Sequence, residues 1–336
     1  MRLVPRIRNR IDFFRAAWLY AFAVFTDMVQ ILTKKTRVSV HGVLLLDKAA
    51  GYSSNDVLIK AKRLVNALKA GHTGTLDPFA TGLLPLCFGE ATKFAQDLLD
   101  ADKTYEATIH LGITTETGDT EGAVIESRKV DITPEKIETV LLRFLGEIDQ
   151  IPPMYSALKR DGKPLYEYAR AGIILERQAR RVTIHALDLL AYQAPYLKIR
   201  VACSKGTYIR VLGQDIGAAL GCGAHLQALR RIQIGVLQID KSITLEQFAA
   251  TPEAERACLL APVDALLSSF PALTLPSSLA QRFLHGQRLA LNKEGVVLPE
   301  QLGRVRVYRN DDAQLLGTAQ LMTYGVLAPE RLVAAG

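Results

Sequence analysis

The chain has 336 residues, of which 49% are apolar and 22% are charged. This length allows one large core and a smaller second domain, because single cores rarely exceed about 250 to 300 residues. The balanced composition excludes a disordered, collagen-like or disulfide-stapled chain. Four scattered cysteines without a C-x-x-C pair exclude a zinc ribbon and favour a reducing compartment, the cytoplasm. Cys222 and His225 have metal-like spacing, but two ligands are too few, so we expect no metal.

The formal net charge of +7 indicates a polyanionic partner, and its distribution matters more than its sum. Residues 1–37 carry eight Lys or Arg against two Asp or Glu, so most of the excess lies there. Residues 152–181 carry seven basic and three acidic residues, interleaved with three tyrosines. Rings stack on bases while basic side chains neutralise phosphates, so this segment is a candidate grip on unpaired RNA. A charged surface loop with inward-packed tyrosines fits the composition equally well.

The N-terminal residues 1–37 combine basic residues with an apolar run over 16–25, as in a signal peptide. The run is too short to span a bilayer, and its small-x-small triplet AFA lies inside the run instead of after it. We therefore expect neither export nor a membrane partner. A start at Met28 is the preferred interpretation, with residues 1–27 foreign to the protein or folded as a loosely docked helix.

The first predicted elements alternate between strand and helix. HGVLLLD predicts a buried strand over 41–47, and apolar residues at helical spacing predict a helix over 55–68, with Ser53 or Ser54 as N-cap. Residues 71–89 are rich in Gly, Thr and Pro without a period, so they are predicted as an ordered loop. A helix over 90–99 and an alternating strand over 104–111 follow.

The next predicted element is a hairpin whose tip is the acidic stretch TTETGDTEGAV. EF-hand spacing is missing there, so we expect a solvated turn. Further predicted elements are a helix over 132–145, a strand over 196–203, a turn over 204–207 and a helix over 208–220. From Pro271 onwards, short apolar alternations broken by glycines predict a small β-rich domain.

The stretch GHTGTLDPFATGLLP places one carboxylate, Asp77, among glycines and prolines with almost no other charge. A carboxylate fixed in such a loop is a candidate nucleophile or base. The P-loop pattern and the GxSxG nucleophile elbow are both absent. From the residues alone, an Asp before proline is more often a turn-former than a catalyst.

This stretch resembles the catalytic motif of the TruB family of bacterial tRNA pseudouridine synthases. The resemblance continues, in the family's order, over residues 41 to about 232. It is carried by the blocks HGVLLLDK, GYSSND, KTYEATIHLG, QIPPMYSALKRDGKPLYEYARAG, CSKGTYIR and GCGAHLQALRR. The ending GVLAPERLV is similar, less specifically, to the family's PUA-like module. One departure is DKAAG over 47–51, because the family often has proline after this lysine, and a turn loses rigidity there.

The resemblance implies an α+β pseudouridine synthase fold, in which a mostly antiparallel sheet is flanked by helices. Residues 38–270 would form the catalytic domain, with an inserted RNA-gripping thumb over 152–181. Residues 271–336 would form a small PUA-like β-barrel domain. Residues 1–37 would remain an N-terminal extension.

Carried over by position, the resemblance implies that Asp77 is the nucleophile and that Arg210 pairs with it and orients it. Tyr105 would stack on the target uracil and take part in proton transfer at C5. The other implied substrate-binding residues are His72, Tyr208 and Leu229 in the uridine pocket, and Lys48 beneath the first strand and the active-site loop. Without the resemblance, packing or surface roles would be preferred for all of them.

The implied reaction isomerises uridine to pseudouridine at position 55, in the TΨC loop of tRNA. It needs no redox step or energy input, so no cofactor is expected. The partner would be the T-arm, whose target uridine must flip out of its stack. A monomer with no obligatory protein partner is expected. The alternatives are a tRNA-binding or tRNA-folding chaperone that acts without catalysis, and a sister enzyme guided by a separate RNA.

Overall fold

The computed structural model describes residues 36–334. The predictions for the N-terminal extension and its start concern residues nearly all of which lie outside this range. No helix in the described part of the chain is long and apolar enough to cross a membrane.

The helices are short and lie between the strands. The α-helices are α1 (Ser54–Leu64), α2 (Ala95–Leu99), α3 (Pro134–Leu142), α4 (Leu165–Arg170), α5 (Ile209–Leu220), α6 (Leu245–Ala250) and α7 (Ser277–Leu284). Turns of 3-10 helix cover Gly89–Lys93, Ile239–Lys241, Glu253–Leu259, Val263–Leu267, Leu291–Lys293 and Thr323–Gly325.

The strands fall into a large sheet, a smaller sheet and two hairpins. Up to residue 203 they are β1 (Gly42–Lys48), β2 (Ala70–His72), β3 (Thr81–Phe88), β4 (Lys103–Leu111), β5 (Ile113–Thr115), β6 (Val124–Ser127), β7 (Gly146–Gln150), β8 (Lys159–Arg160), β9 (Lys163–Pro164), β10 (Arg180–Gln193) and β11 (Tyr196–Cys203). The later strands are β12 (Ala224–Ile234), β13 (Leu237–Gln238), β14 (Ile243–Thr244), β15 (Ala272–Leu275), β16 (Leu289–Ala290), β17 (Gly303–Arg309), β18 (Leu315–Met322) and β19 (Val326–Leu332).

The large sheet has ten strands and is mostly antiparallel, as predicted. Its main order is β14-β1-β3-β12-β4-β11-β10-β7, while β2 pairs with β3 and β13 pairs with β12. Only the β1–β14 and β3–β12 pairings within this sheet are parallel. Helices α1, α3 and α5 contribute buried residues to the main core, so this part of the chain has the predicted α+β architecture.

Strand β3 corrects the prediction of one continuous loop over 71–89. Gly82–Phe88 of this strand pairs with β1, and all residues of Thr81–Phe88 except the first are buried. A strand covered on both faces shows no alternation, and Pro85 argued against a central strand. The edge of β3 that faces away from β1 pairs with β12 near its start and with β2 near its end. Pro85 lies in the gap between these two pairings, where no ladder hydrogen bond is needed from its nitrogen.

Two helix predictions also need correction. The predicted helix over 90–99 is divided into the 3-10 turn Gly89–Lys93 and α2, because Phe94 between them has non-helical backbone angles. Helix α1 ends at Leu64 instead of residue 68. Its predicted N-cap is confirmed at Ser53, whose hydroxyl accepts from the backbone N–H of Asp56 in a capping box.

The alternation predicted for β4 is confirmed, and it places Tyr105, Ala107, Ile109 and Leu111 on the buried face. On the next strand in the sheet order, β11, the buried residues Leu197, Ile199 and Val201 pair directly with members of this row. Helix α5 packs on the same core and begins directly after the turn that follows β11. The sheet therefore brings the start of α5 towards the loop that carries Asp77.

The C-terminal strands form the second sheet, in the order β15-β17-β18-β19-β16. This sheet packs on α7 around its own apolar core, and its ladder stays open between β15 and β16 as a half-barrel. It contacts the larger part of the molecule through buried Asp97, which pairs with Arg304 and, at 3.0 Å, with Arg331.

Candidate active site

The loop between β2 and β3 carries Asp77 and is fixed through its own backbone. The hydroxyl of Ser54 accepts from the N–H of Leu76 at 2.8 Å and donates to the carbonyl of the same residue at 3.0 Å. On the other side of Asp77, the carbonyl of Pro78 accepts from the backbone N–H of Gly51 at 2.9 Å. The peptide groups that flank the carboxylate are therefore held by the connection between β1 and α1.

Arg231, on β12, anchors the same loop from within the protein. Its side chain is almost fully buried; Nε donates to the carbonyl of Leu83 at 2.8 Å and Nη2 to the carbonyl of Gly74 at 3.1 Å. The guanidinium also reaches the hydroxyl of Tyr105. Burial lowers the pKa of Arg231 from its ordinary value. Arg231 was not among the predicted site residues, because it reads as one of two basic residues in a strand.

Lys48 is the second buried cation beneath the loop. Its Nζ donates to three carbonyl oxygens, those of Ala49 at 2.9 Å, Tyr52 at 2.7 Å and Pro78 at 3.3 Å. Burial lowers its pKa to about 8, although the nearby carboxylate of Asp77 opposes this shift. Lys48 thus joins the loop that carries Asp77 to the turn after β1.

Arg210, the second residue of α5, connects three separate segments of the chain. Its Nε lies 3.0 Å from a carboxylate oxygen of Asp77, and its side chain is only 5% exposed. Nη1 donates to the carbonyl of Thr117 at 3.1 Å and lies 3.4 Å from the carboxylate of Asp119. Nη2 donates to the carbonyl of Tyr155 at 2.6 Å. The loop, the β5–β6 hairpin and the start of the 152–181 segment therefore meet at one guanidinium.

Asp119 is a further residue that the sequence reasoning missed. The hairpin tip was expected to be a solvated turn, yet the Asp119 side chain is only 3% exposed. Its carboxylate accepts from the hydroxyl of Thr117 and, at 2.9 Å, from the backbone N–H of Glu121. The available signal was an Asp directly after a glycine, as at a tight turn, and Gly118 does have a left-handed φ of 74°.

The electrostatics of the Asp77 carboxylate are set by opposing effects. Burial raises its pKa, Arg210 opposes that rise, and Asp119 adds to it. The side chain still has 37% of its surface exposed, because it faces a cleft. The pKa of Glu121 on the hairpin is also raised, first by burial and then by Asp119 and Asp77. One arginine therefore holds an ionisable carboxylate in a site that already contains other acids.

The cleft has a volume of about 680 Å³, which is within the usual range for a small-molecule-sized pocket. Six of the side chains that line it are His72, Asp77, Asp119, Tyr155, Tyr166 and Arg170. Arg170 lies over the ring of Tyr166, with its guanidinium carbon 5.4 Å from the ring centroid. Basic and aromatic residues of the 152–181 segment thus border the opening that Asp77 faces.

The predicted site residues differ in how they relate to this cleft. His72 and Arg210 line it together with Asp77, whereas Tyr105, Tyr208, Leu229 and Lys48 are not part of its lining. The buried Nδ1 of His72 has no hydrogen-bond partner among residues 36–334, and burial lowers its pKa.

Tyr105 and Leu229 lie on neighbouring strands, with only 9% and 7% of their surfaces exposed. Burial raises the pKa of Tyr105, and Arg231 opposes this rise. Tyr208 is the N-cap residue of α5, directly before Ile209 and Arg210. Burial raises the pKa of Tyr208 as well, and Tyr105 and Tyr208 both lie close enough to Asp77 for its charge to add to these rises.

Chains in two solved structures share the architecture. A chain in the structure of an H/ACA RNP bound to a substrate RNA containing 2′-deoxyuridine has a TM-score of 0.68 and 26% identity. The match covers 88% of this chain and 86% of that one. A chain in a Cbf5-Nop10-Gar1 complex gives the same TM-score with 27% identity, over 87% of this chain and 84% of that one.

Three family models match in succession. The model of the TruB family pseudouridylate synthase N-terminal domain matches residues 62–209. The tRNA pseudouridylate synthase B C-terminal domain follows over 210–268, and the model of the pseudouridine synthase II TruB C-terminus over 271–333. The fold is therefore that of a pseudouridine synthase.

Curated relatives make the identification narrower. A tRNA pseudouridine synthase B of Ralstonia nicotianae is 62% identical over 89% of this chain and 96% of its own length. One of Burkholderia mallei is 60% identical over 90% of this chain and 97% of its own length. The chain belongs to the TruB family and is a tRNA pseudouridine synthase, which isomerises uridine to pseudouridine in tRNA.

Proposed function

We propose that this enzyme modifies the uridine at position 55 of tRNA, in the TΨC loop, and that Asp77 is its nucleophile. The observation that carries the proposal is the pair formed by the loop carboxylate of Asp77 and the buried guanidinium of Arg210 at the edge of a nucleotide-sized cleft. A carboxylate that is held and paired in this way is aimed at a substrate atom before the substrate arrives. The position within tRNA rests on the extended resemblance to the family.

The reaction breaks the N1–C1′ bond, turns the uracil and joins its C5 to C1′. As the first bond breaks, its electron pair leaves with the uracil, and Asp77 acts on the sugar either by attack at C1′ or by assisting glycal formation. In the second half, C5 supplies the electron pair of the new bond to C1′, and a carboxylate bonded there leaves with its own electron pair. C5 then loses its proton, and N1 gains one. Covalent catalysis of this kind needs an ionised carboxylate, which Arg210 favours.

The target uridine is proposed to enter the cleft flipped out of its stack, which costs a few kcal/mol. Tyr105 would stack on the uracil and assist the proton transfer at C5. His72, Tyr208 and Leu229 would complete the base pocket, and Lys48 would support the loop beneath it. Because Tyr105 and Leu229 are nearly buried, the proposal includes a shift of the side chains around them when RNA binds.

RNA is proposed to be held by two further segments of the catalytic chain. The thumb over 152–181 offers exposed basic residues at the opening of the cleft, and the sheet over 271–336 would act as the PUA-like domain beside the catalytic domain over 38–270. The protein would work as a monomer, without a guide RNA or an obligatory protein partner. Its expected place of action is the cytoplasm.

The test replaces Asp77 with Asn and measures pseudouridine formation by the release of tritium from a tRNA transcript whose uridines carry tritium at C5. We expect Asp77→Asn to lose all turnover and to bind tRNA with nearly unchanged affinity. Asp100→Asn is the control, because Asp100 forms an exposed ion pair with Lys205 and such pairs contribute little. Near wild-type turnover by Asp77→Asn would refute the assignment of the nucleophile.

The site of modification and the independence from a guide are tested with a bare T-arm hairpin. We expect the enzyme alone to form pseudouridine in this hairpin at the uridine equivalent to position 55. A hairpin with cytidine at that position should yield no product. A requirement for added RNA or protein would contradict stand-alone action, and modification at another uridine would contradict the assigned position.

A further inference from the structure

The buried hydroxyl of Ser54 lies at the start of α1, beside the loop that carries Asp77. This side chain is 1% exposed, at the first position of α1, and it does not cap its own helix, because Ser53 performs that task. Its two hydrogen bonds go to a residue 22 positions later in the chain, Leu76, directly before Asp77. The hydrogen bonds of this buried hydroxyl therefore serve the loop that contains Leu76 and not the cap of α1.

The two bonds fix the peptide that carries the candidate nucleophile. The carbonyl of Leu76 belongs to the peptide group whose nitrogen is that of Asp77, and it accepts the proton of the Ser54 hydroxyl at 3.0 Å. The N–H of Leu76 belongs to the preceding peptide group and donates to the same oxygen at 2.8 Å. In the described part of the chain, no other hydrogen bond is made by this N–H or this carbonyl.

The remaining anchors of the loop do not replace this contact. Gly51 and Lys48 hold the carbonyl of Pro78, on the far side of Asp77, and Arg231 holds Gly74, three residues before it. Between these anchors, only Ser54 bonds to the backbone that leads directly into Asp77. Loss of its hydroxyl would leave that peptide group without a fixed orientation.

We propose that Ser54 is a positioning residue that sets the angle of the Asp77 carboxylate by clamping the peptide group before it. This inference rests on the proposed role of Asp77. The carboxylate must remain 3.0 Å from Nε of Arg210 and face the cleft at the same time. A displacement of about 1 Å is enough to cost about 100-fold in rate.

The experiment compares Ser54→Ala with Thr244→Ala. Thr244 caps α6 through the same type of capping box, and it lies outside the cleft lining, so its loss lowers stability without touching the loop. Single-turnover rate, tRNA dissociation constant and thermal midpoint are measured for each. We expect Ser54→Ala to lower the single-turnover rate about 10- to 100-fold with a dissociation constant within about 2-fold of the wild type. Thr244→Ala should keep the wild-type rate despite a lowered midpoint.

A second variant guards against misfolding of the first. Ser54→Cys retains a group of similar size that hydrogen-bonds weakly, so its rate should lie between those of Ser54→Ala and the wild type. A Ser54→Ala rate within about 2-fold of the wild type, measured where the protein is folded, would overturn the inference. Equal rate losses in Ser54→Ala and Thr244→Ala would overturn it as well, because both would then follow from lowered stability. If Asp77→Asn stays active, the proposed function fails instead, whatever the Ser54 variants do.

Discussion

Replacement of Lys48 by Met tests the physical reasoning about the base of the active site. Lys48 is fully buried, and its pKa falls from 10.5 to about 8 because burial disfavours the charged form. Because each pKa unit corresponds to about 1.4 kcal/mol, folding disfavours the charged amine by about 3 kcal/mol at neutral pH. Met fills a similar volume without this cost, but it leaves the carbonyls of Ala49 and Tyr52 without their donor.

The two effects of the substitution oppose each other in the free energy of unfolding. Each stranded carbonyl costs about 1 to 3 kcal/mol, while removal of the buried charge returns about 3 kcal/mol. We therefore expect Lys48→Met to change stability at pH 7 by no more than about 3 kcal/mol. Its single-turnover rate should fall by about 10-fold or more, because the loop loses a support at Pro78.

The pH dependence gives this prediction a definite sign. Between pH 8 and 10.5 the unfolded chain keeps the proton on Lys48 while the folded chain loses it, so the stability of the wild type rises with pH on this account. Lys48→Met lacks this contribution. The wild type should therefore gain up to about 1.4 kcal/mol per pH unit relative to the variant across this window.

Urea unfolding of both proteins at pH 7, 8, 9 and 10 measures the difference directly. Lys103 also has a pKa lowered by burial to about 8, but it is present in both proteins and cancels in the comparison. A difference that stays constant from pH 7 to 10 would show that Lys48 titrates normally, and the account of its burial would then be wrong.

Three further outcomes are expected. Because burial raises the pKa of Asp77, the acidic limb of the pH–rate profile should have its midpoint above the ordinary aspartate range, and a midpoint near 3.9 would contradict this. Gly82→Ala should abolish folding in a solubility and circular dichroism assay, since its Cβ would lie 2.2 Å from the backbone oxygen of Arg231. Gly51→Ala is also strained by a positive φ, but it has open space around it and should still fold. Binding of tRNA should weaken steeply with salt if exposed basic residues of 152–181 contact phosphates, whereas a flat response in a filter-binding titration would count against the thumb.

Much of the fold could be predicted from local patterns. Alternation identified β4 with its buried face, and apolar residues at helical spacing identified α1 and α5. Each of these elements is buried on one side only, so its apolar residues recur at the spacing that matches the buried side. Strand β3 is covered on both sides and contains Pro85, and its sequence therefore lacks the period that would reveal it.

The candidate site was accessible from the sequence only in part. The resemblance named Asp77 and Arg210, and the structure brings them within 3.0 Å of each other across 133 residues of sequence. The sequence could not indicate that Asp119 is buried against the same arginine, since acidic residues between glycines are typical of solvated turns. The contribution of Ser54 was hidden for another reason: adjacent serines before a helix are equivalent as N-cap candidates until the backbone they contact is known.

The anchoring of Gly74 by Arg231 has a consequence for the time at which the enzyme becomes active. The two residues lie 157 positions apart in the chain, so the nucleophile loop leaves the ribosome long before the side chain that holds it. At about 5 to 20 residues per second, the delay is roughly 8 to 30 seconds. A nascent chain that already contains Asp77 is therefore not yet an enzyme, and fragments that end before β12 should be unable to modify tRNA while they are still being synthesised.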